Sequence, residues 1–305
     1  MPVMTVRGPV PGGALGLILP HEHLFIDLFR VTRVRDQLLN DETLITDEAA
    51  RFKAAGGGTI VDVTSHGLDR NAAAMRRLAE ATGLNVVMGC GWYREPFYDD
   101  DYIGRRATAD VAADIVTEIE QGEPGTGIRP GIIGEIGADR SWVSPAEERV
   151  HRAAARAHRR TGLPITLHAL ESPVGLQQLA LLREEGADLR RVVVGHCDTW
   201  PDPEYHDAIA RQGAYVQFDT IRGLQPYEVD KQIRLTLEVI RRGHLERLLL
   251  SHDNCMRSHL VGYGGNGYAY LPTGFVPLLQ KAGLSEEQLR IILVENPRRV
   301  LTGEI

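Results

Sequence analysis

Eight short apolar runs recur along this chain, each followed by a longer amphipathic stretch, and that alternation restricts the fold more than any other feature. The runs are "LGLIL", "GTIVDVT", "NVVMGCG", "GIIGEIG", "PITLHA", "RVVVGHC", "AYVQFD" and "RLLLSHD". Each is β-branched or leucine-rich and nearly continuous in apolar character, as a parallel strand covered on both faces must be. The stretches between them read as helices. "RNAAAMRRLAEATG" (residues 70–83) sets Ala, Met and Leu on one face and ends in a glycine suited to a C-terminal cap. "SPAEERVHRAAARAHRRTG" (144–162) opens with a serine N-cap, a proline at the first helical position and an acidic first turn, and it ends basic. "SPVGLQQLALLREEG" (172–186) and "EVDKQIRLTLEVIRRG" (228–243) repeat the design. Eight strand–helix units in 305 residues predict an α/β fold, a single (β/α)8 TIM barrel over residues 1–305, in preference to a doubly wound open sheet.

Hydrophobic residues at 43% and charged residues at 25% suffice for one sizeable core. A net charge of -7 argues against a nucleic-acid or anionic-membrane partner, either of which needs a basic excess. No apolar run approaches the roughly 18 residues of a membrane span, and "MPVMTVRGPVPGG" lacks the pattern of a signal peptide. Cys90, Cys197 and Cys255 are widely spaced, with no CxxC pair, and read as reduced thiols. A soluble, cytoplasmic protein is expected. Two loops are long enough to bind a substrate: "WYREPFYDDDYIG" (92–104) after the third strand and "NCMRSHLVGYGGNGYAYLPTG" (254–274) after the eighth. Within the second, "GYGGNG" has the spacing of a dinucleotide fingerprint but follows a loop rather than a strand, and a permissive backbone is the simpler account of its glycines.

Chemistry gathers where the strands end. The first strand closes on "PHEH"; alternation puts His21 and His23 on one face, roughly 6.6 Å apart, and Glu22 on the other. Strand four carries Glu135, strand five ends in His168, strand six in His196 and strand eight in Asp253. In a parallel barrel these six residues share the C-terminal face, where barrel active sites are built. Each alone has a plainer explanation: a hydrogen-bonded core histidine, a glutamate paired with an arginine, an aspartate capping a turn. Together, four imidazoles and two carboxylates are costly to desolvate without a partner. A divalent metal suits this mix of nitrogen and oxygen donors, with zinc the first expectation and manganese, cobalt or iron the others. The histidines inside helical stretches, His151, His158 and His206, lie off this pattern and are expected on solvated faces. Arg222, and Arg257 with His259, are expected to bind an anionic tail of a small-molecule substrate.

The set "PHEH", "GEIG", "LHA", "VGHCD" and "LSHD", with "AYVQFDT" and "RSHLVGYGGNGYAY", resembles the metal-binding pattern of the phosphotriesterase family of the amidohydrolase superfamily, over essentially the whole chain. It looks most like the homology-protein branch. The resemblance implies a two-metal hydrolase. His21, His23 and Asp253 would hold the more buried ion and His168 and His196 the more exposed one, with a carboxylate and a solvent hydroxide bridging them. Asp253 would also be catalytic, taking the proton released on attack. Many members bridge with a carboxylated lysine, but this chain has Glu135 there, and its only lysines, Lys53, Lys231 and Lys281, end no strand. Such a bridge needs no carbon dioxide. Tyr93 sits where lactone-cleaving members place a tyrosine near the substrate carbonyl. The implied activity is hydrolysis of a carboxylic ester, lactone or N-acyl amide, with organophosphate triesters as the alternative; a homodimer is a further implication. A one-metal or metal-free isomerase or lyase, and a binding protein without turnover, are the competing classes.

Overall fold

The computed structural model describes residues 2–99 and 102–304; Asp100 and Asp101, in the first expected loop, lie outside the described residues. All eight expected strands are present: β1 (Leu17–Glu22), β2 (Gly57–Asp62), β3 (Asn85–Cys90), β4 (Ile132–Gly137), β5 (Ile165–His168), β6 (Val192–Gly195), β7 (Tyr215–Phe218) and β8 (Leu248–Leu250). Neighbours in the sheet follow chain order, and the ladders between them are parallel. The ring closes between β8 and β1, where the Ser251 hydroxyl donates to the His21 carbonyl at 2.8 Å and the Asp253 amide donates to the same oxygen at 3.2 Å. The architecture is a (β/α)8 barrel.

Helices α1 (Glu42–Ala54), α2 (Ala72–Thr82), α3 (Thr108–Gln121), α4 (Pro145–Thr161), α5 (Gly175–Glu184), α6 (Pro203–Arg211) and α7 (Pro226–Arg241) follow successive strands, and three shorter segments, Val276–Lys281, Glu286–Arg290 and Asn296–Thr302, follow β8. The expected end signals act as read. Asn71 and Ser144 accept the Ala74 and Glu147 amides, Glu147 returns a bond to the Ser144 amide, and Gly83 and Gly162 end their helices in the left-handed region. Ala153, Ala154, Ala155 and Ala157 are fully buried, small enough to let α4 lie close to its neighbours. Val3, in an N-terminal hairpin that the sequence reading missed, packs with Ile18, Val61, Val87, Ile132 and Leu301 into one cluster. Leu19, Ile60, Val86 and Ile133 belong to the larger core shared with the helices.

Besides an extra residue in β2 opposite Leu17 and Ile18, two departures from regular pairing position the site. Opposite β2, β1 carries one extra residue between Leu19 and Glu22; opposite β5, β4 carries one between Ile133 and Ile136. An extra residue inverts the alternation of faces beyond it. Ile18 and Ile132 therefore face the inner cluster, yet His21 and Glu135, an odd number of residues further on, also point inward.

The helical histidines correct an expectation. His151, His158 and His206 are not solvated but buried, with ring nitrogens 2.7, 2.6 and 2.8 Å from the carbonyl oxygens of Glu147, Leu163 and Cys197. Burial pushes the pKa of His151 down to about 4, so the ring is neutral. The three cysteines are free and buried. Among the described residues no helix is long and apolar enough to cross a membrane.

Candidate metal centre

Six strand-end side chains meet inside the C-terminal mouth. His23 Nε2 is 3.2 Å from Asp253 Oδ1, and His21 Nε2 lies 3.7 Å from that oxygen and 3.5 Å from Glu135 Oε1. His168 Nδ1 and His196 Nε2 are each 2.8 Å from Glu135 Oε1 and 2.8 Å from one another. Glu135 Oε2 turns the other way, 3.9 Å from His23 Nε2. One carboxylate thus stands between two donor sets. His21, His23 and Asp253 form one group with metal-ligand spacing, and His21, Glu135 and His196 form another.

The donors fit cations. His196 Nδ1 is 2.8 Å from Asp219 Oδ1, so a neutral His196 donates there and presents its Nε2 lone pair to Glu135 and His168. Three electron-rich atoms, each 2.8 Å from the others, would repel one another unless a proton or a metal ion lies among them. His21 Nε2, buried and without a hydrogen-bond partner, faces the gap between Glu135 and Asp253. Titration behaviour agrees for three of the six. Burial alone would raise Glu135, but the adjacent His168 and His21 outweigh it and hold the carboxyl well below the usual range. Burial likewise opposes ionisation of Asp253, and the His23 hydrogen bond and the Arg222 guanidinium overcome it. Burial pushes His168 down to about 4 against the pull of Glu135. At neutral pH these three are two carboxylates and a neutral imidazole. Against burial, Asp219 and Glu135 push His196 well above the usual imidazole range and Asp253 likewise raises His23, so a cation binding here would displace protons from those two rings.

A second ring of contacts orients the clustered side chains. Asp219, at the end of β7, accepts the His196 amide at 3.0 Å, and its Oδ2 lies 3.2 Å from His21 Nδ1, so one carboxylate steadies a histidine of each group. Thr64 Oγ1 lies 2.9 Å from His23 Nδ1, and Gln178 donates to the His168 carbonyl at 2.9 Å. The sequence reading quoted the strand ending in Asp219 but gave this residue no role; the strand-end rule that found the other six, applied to β7, finds it. His196 and Asp253 adopt left-handed backbone, with φ of 57° and 53°.

Above the cluster opens a cavity of about 420 Å³, whose walls include Leu28, Tyr93, Leu170, Arg222, Asp253 and Met256. The Tyr93 hydroxyl is 3.4 Å from His168 Nδ1, and burial raises its pKa well above normal, keeping it a neutral donor. Arg222 lines the cavity, but its Nη2 donates to both the carbonyl and Oδ2 of Asp253 at 2.8 Å. Two expectations are corrected. Arg257 is turned away, donating to the Leu38 carbonyl at 2.8 Å beside a separate cleft near Leu44 and Tyr263. His259 is buried, is not among the residues lining the cavity, and is pushed down to about 3 by burial and by Arg222. Neither reaches the mouth, because the loop after β8 folds back over the segment before α1, where Ser258 binds Asp36.

Fold and site together define a barrel hydrolase whose histidines and carboxylates are set out for metal ions. The phosphotriesterase family model matches residues 1–301, and the chain belongs to that family. It is 40% identical over 282 residues to the phosphotriesterase homology protein of Escherichia coli, covering 92% of this chain and 96% of that one. The crystal structure of that protein, complexed with phosphate in its active site, superposes with a TM-score of 0.90 over 94% of this chain and 98% of the other. The N-acetyltaurine hydrolase of Xenopus tropicalis is 31% identical over 98% of this chain and 97% of its own length. A lactonase from Listeria monocytogenes is 26% identical, with a TM-score of 0.94 over the whole of both chains.

Proposed function

We propose that residues 1–305 form one metal-dependent hydrolase domain that cleaves a carbonyl-centred bond, a carboxylic ester, lactone or N-acyl amide, in a small substrate with a negative tail. His21, His23 and Asp253 would hold one divalent cation and His168 and His196 the other, with Glu135 between them and zinc the first expected metal. The observation that carries this reading is the position of Glu135, one oxygen toward each donor set. When bound, such a pair supplies a solvent nucleophile at neutral pH and a Lewis acid for the scissile carbonyl. The chain's own residues do the rest. Asp253, held ionised, accepts the proton released on attack. Arg222 fixes the rotamer of Asp253. Tyr93, neutral and buried at the rim, offers its hydroxyl proton to the developing oxyanion. Of the basic residues lining the cavity, Arg94 is engaged by Asp139 and Arg222 by Asp253, whereas Lys231 has no ion-pair partner among the described residues and is the group left for the anionic tail. The similarity to the N-acetyltaurine hydrolase and the lactonase favours a carbonyl substrate; the phosphate in the E. coli relative favours phosphoester hydrolysis as the second reading.

A screen of the dizinc and dimanganese enzymes against N-acyl amides, lactones and aryl phosphoesters tests both. Turnover of one carbonyl class at least 10²-fold above the phosphoesters, about 2.7 kcal/mol in barrier, supports the first reading; the reverse ratio replaces it with the second. Binding of one ion per chain, rather than two, would refute the two-cation site.

A further inference from the structure

The glutamate between the two histidines of β1 takes no part in the metal cluster, yet it is fully buried. Its side chain turns away from the lumen toward β8 and accepts three hydrogen bonds from one short stretch of chain. Glu22 Oε1 receives the His252 amide at 3.0 Å and His252 Nδ1 at 2.7 Å, and Oε2 receives the Asn254 amide at 3.0 Å; Oε1 also lies 2.8 Å from the Ser251 hydroxyl, whose one proton it shares with the His21 carbonyl. The amides on both sides of Asp253 therefore point at a single carboxylate, while the Asp253 amide donates to the His21 carbonyl on the neighbouring strand. Successive N–H groups converge on one anion in this way when a residue among them is left-handed. Asp253 is that residue, with φ of 53°, in a region that side-chain-bearing residues rarely occupy. The same twist brings the Asp253 carboxylate to 3.2 Å from His23 Nε2.

The contact extends beyond Asp253. His252 Nε2 accepts the Leu271 amide at 2.9 Å, so the ring proton is on Nδ1 and is donated to Glu22. Leu271 begins the helical turn that ends the loop after β8, and Asn254 is that loop's first residue past the aspartate. Both ends of the loop thus hang on one side chain, the first directly and the last through His252. The Tyr268 hydroxyl, three residues before Leu271, adds a bond to the His23 carbonyl at 2.7 Å.

We infer that Glu22 is a positioning residue: it sets Asp253 in its left-handed conformation and, through His252, closes the base of the loop after β8, so that one carboxylate ties the first cation site to the substrate loop. This rests on the metal site proposed above. The test uses the full-length protein with Glu22→Gln and His252→Asn, the latter keeping a donor toward Glu22 and giving up the acceptor for Leu271. Zinc affinities are measured by chelator competition, amide exchange on the metal-free protein, and kcat and KM on the best substrate of the screen. Glu22→Gln is expected to weaken the cation held by His21, His23 and Asp253 by about 10- to 100-fold, and to speed exchange at 252–254 by about tenfold or more. His252→Asn is expected to leave both zinc constants within about threefold, speed exchange at Leu271, and raise KM more than it lowers kcat. Wild-type zinc constants in Glu22→Gln, or an equal loss of zinc affinity in both variants, would overturn the inference. If Glu22→Gln does not fold, His252→Asn decides alone, since protected exchange at Leu271 in that variant contradicts the loop closure. A wild-type protein that binds no pair of ions would sink the metal reading, while exchange in the metal-free variants would still report on Glu22.

Discussion

Replacing Asp219 by asparagine removes a charge and an acceptor without changing the volume of the side chain. In the native site Oδ1 serves His196, through its amide at 3.0 Å and Nδ1 at 2.8 Å, while Oδ2 shares that amide at 3.1 Å and faces Gln217 Nε2 at 2.8 Å and His21 Nδ1 at 3.2 Å. An asparagine has one carbonyl oxygen, and its better use is at Oδ1, where two close donors of His196 compete for it. Its NH2 group then meets Gln217 and His21, and the His21 ring loses the carboxylate oxygen 3.2 Å from its Nδ1, a nitrogen that otherwise has only Gln217 Nε2 at 3.0 Å beside it. One hydrogen bond to a charged group is worth about 1.5–3 kcal/mol, or roughly 10- to 150-fold in affinity. The loss should fall on the cation proposed for His21, His23 and Asp253, leaving the one proposed for His168 and His196 within about threefold. Competition against chelators of graded strength, with two binding constants fitted per chain, reads this directly. Equal weakening of both ions, or weakening confined to the second, would refute the assignment of Oδ2 to His21.

Because a glutamate stands between the donor sets, zinc loading of the metal-free protein should proceed equally with and without bicarbonate; a clear dependence in reconstitution assays would contradict the role of Glu135. Arg257→Ala should leave KM within about twofold and cost about 1 kcal/mol of stability, the worth of its bond to the Leu38 carbonyl; a tenfold rise in KM would return this arginine to the substrate. His151 supplies a pH dependence. Its folded pKa, lowered by burial from 6.5 to about 4, means that the unfolded chain binds a proton the folded one refuses. Stability is therefore lost as pH falls from about 6.5 to 4, by about 2 kcal/mol between pH 7 and pH 4.5. Urea unfolding of His151→Leu should show a decline smaller by that amount; an identical decline would show that the ring is not held neutral.

The eight strands were legible because a strand covered on both faces has no polar phase to confuse the pattern, and the helix ends because Asn71, Ser144, Gly83 and Gly162 act locally. The six clustered residues followed from strand ends alone. The extra residues in β1 and β4 were not legible: they depend on pairing with β2 and β5, and local alternation carries no trace of them. Arg257 was misplaced for a similar reason, since its partner Leu38 is 219 positions away and only the packing of two loops reveals it. His151 was misread because arginines and glutamates flank it in sequence, although it lies one residue beyond the buried Val150. The N-terminal hairpin, two strands of three residues, is too short to stand out by pattern.

Closure of the ring joins a carbonyl at His21 to a hydroxyl 230 residues later. A growing polypeptide released up to β7 would already contain Glu135, His168 and His196, but it would lack Asp253 and so could assemble no complete pocket for the first ion. Under the proposed assignment, capture of that ion would mark the end of synthesis and folding, when the last strand has docked on the first. Contacts so remote in sequence form late, and a C-terminally clipped copy would lack the first ion's site even where most of its barrel persisted.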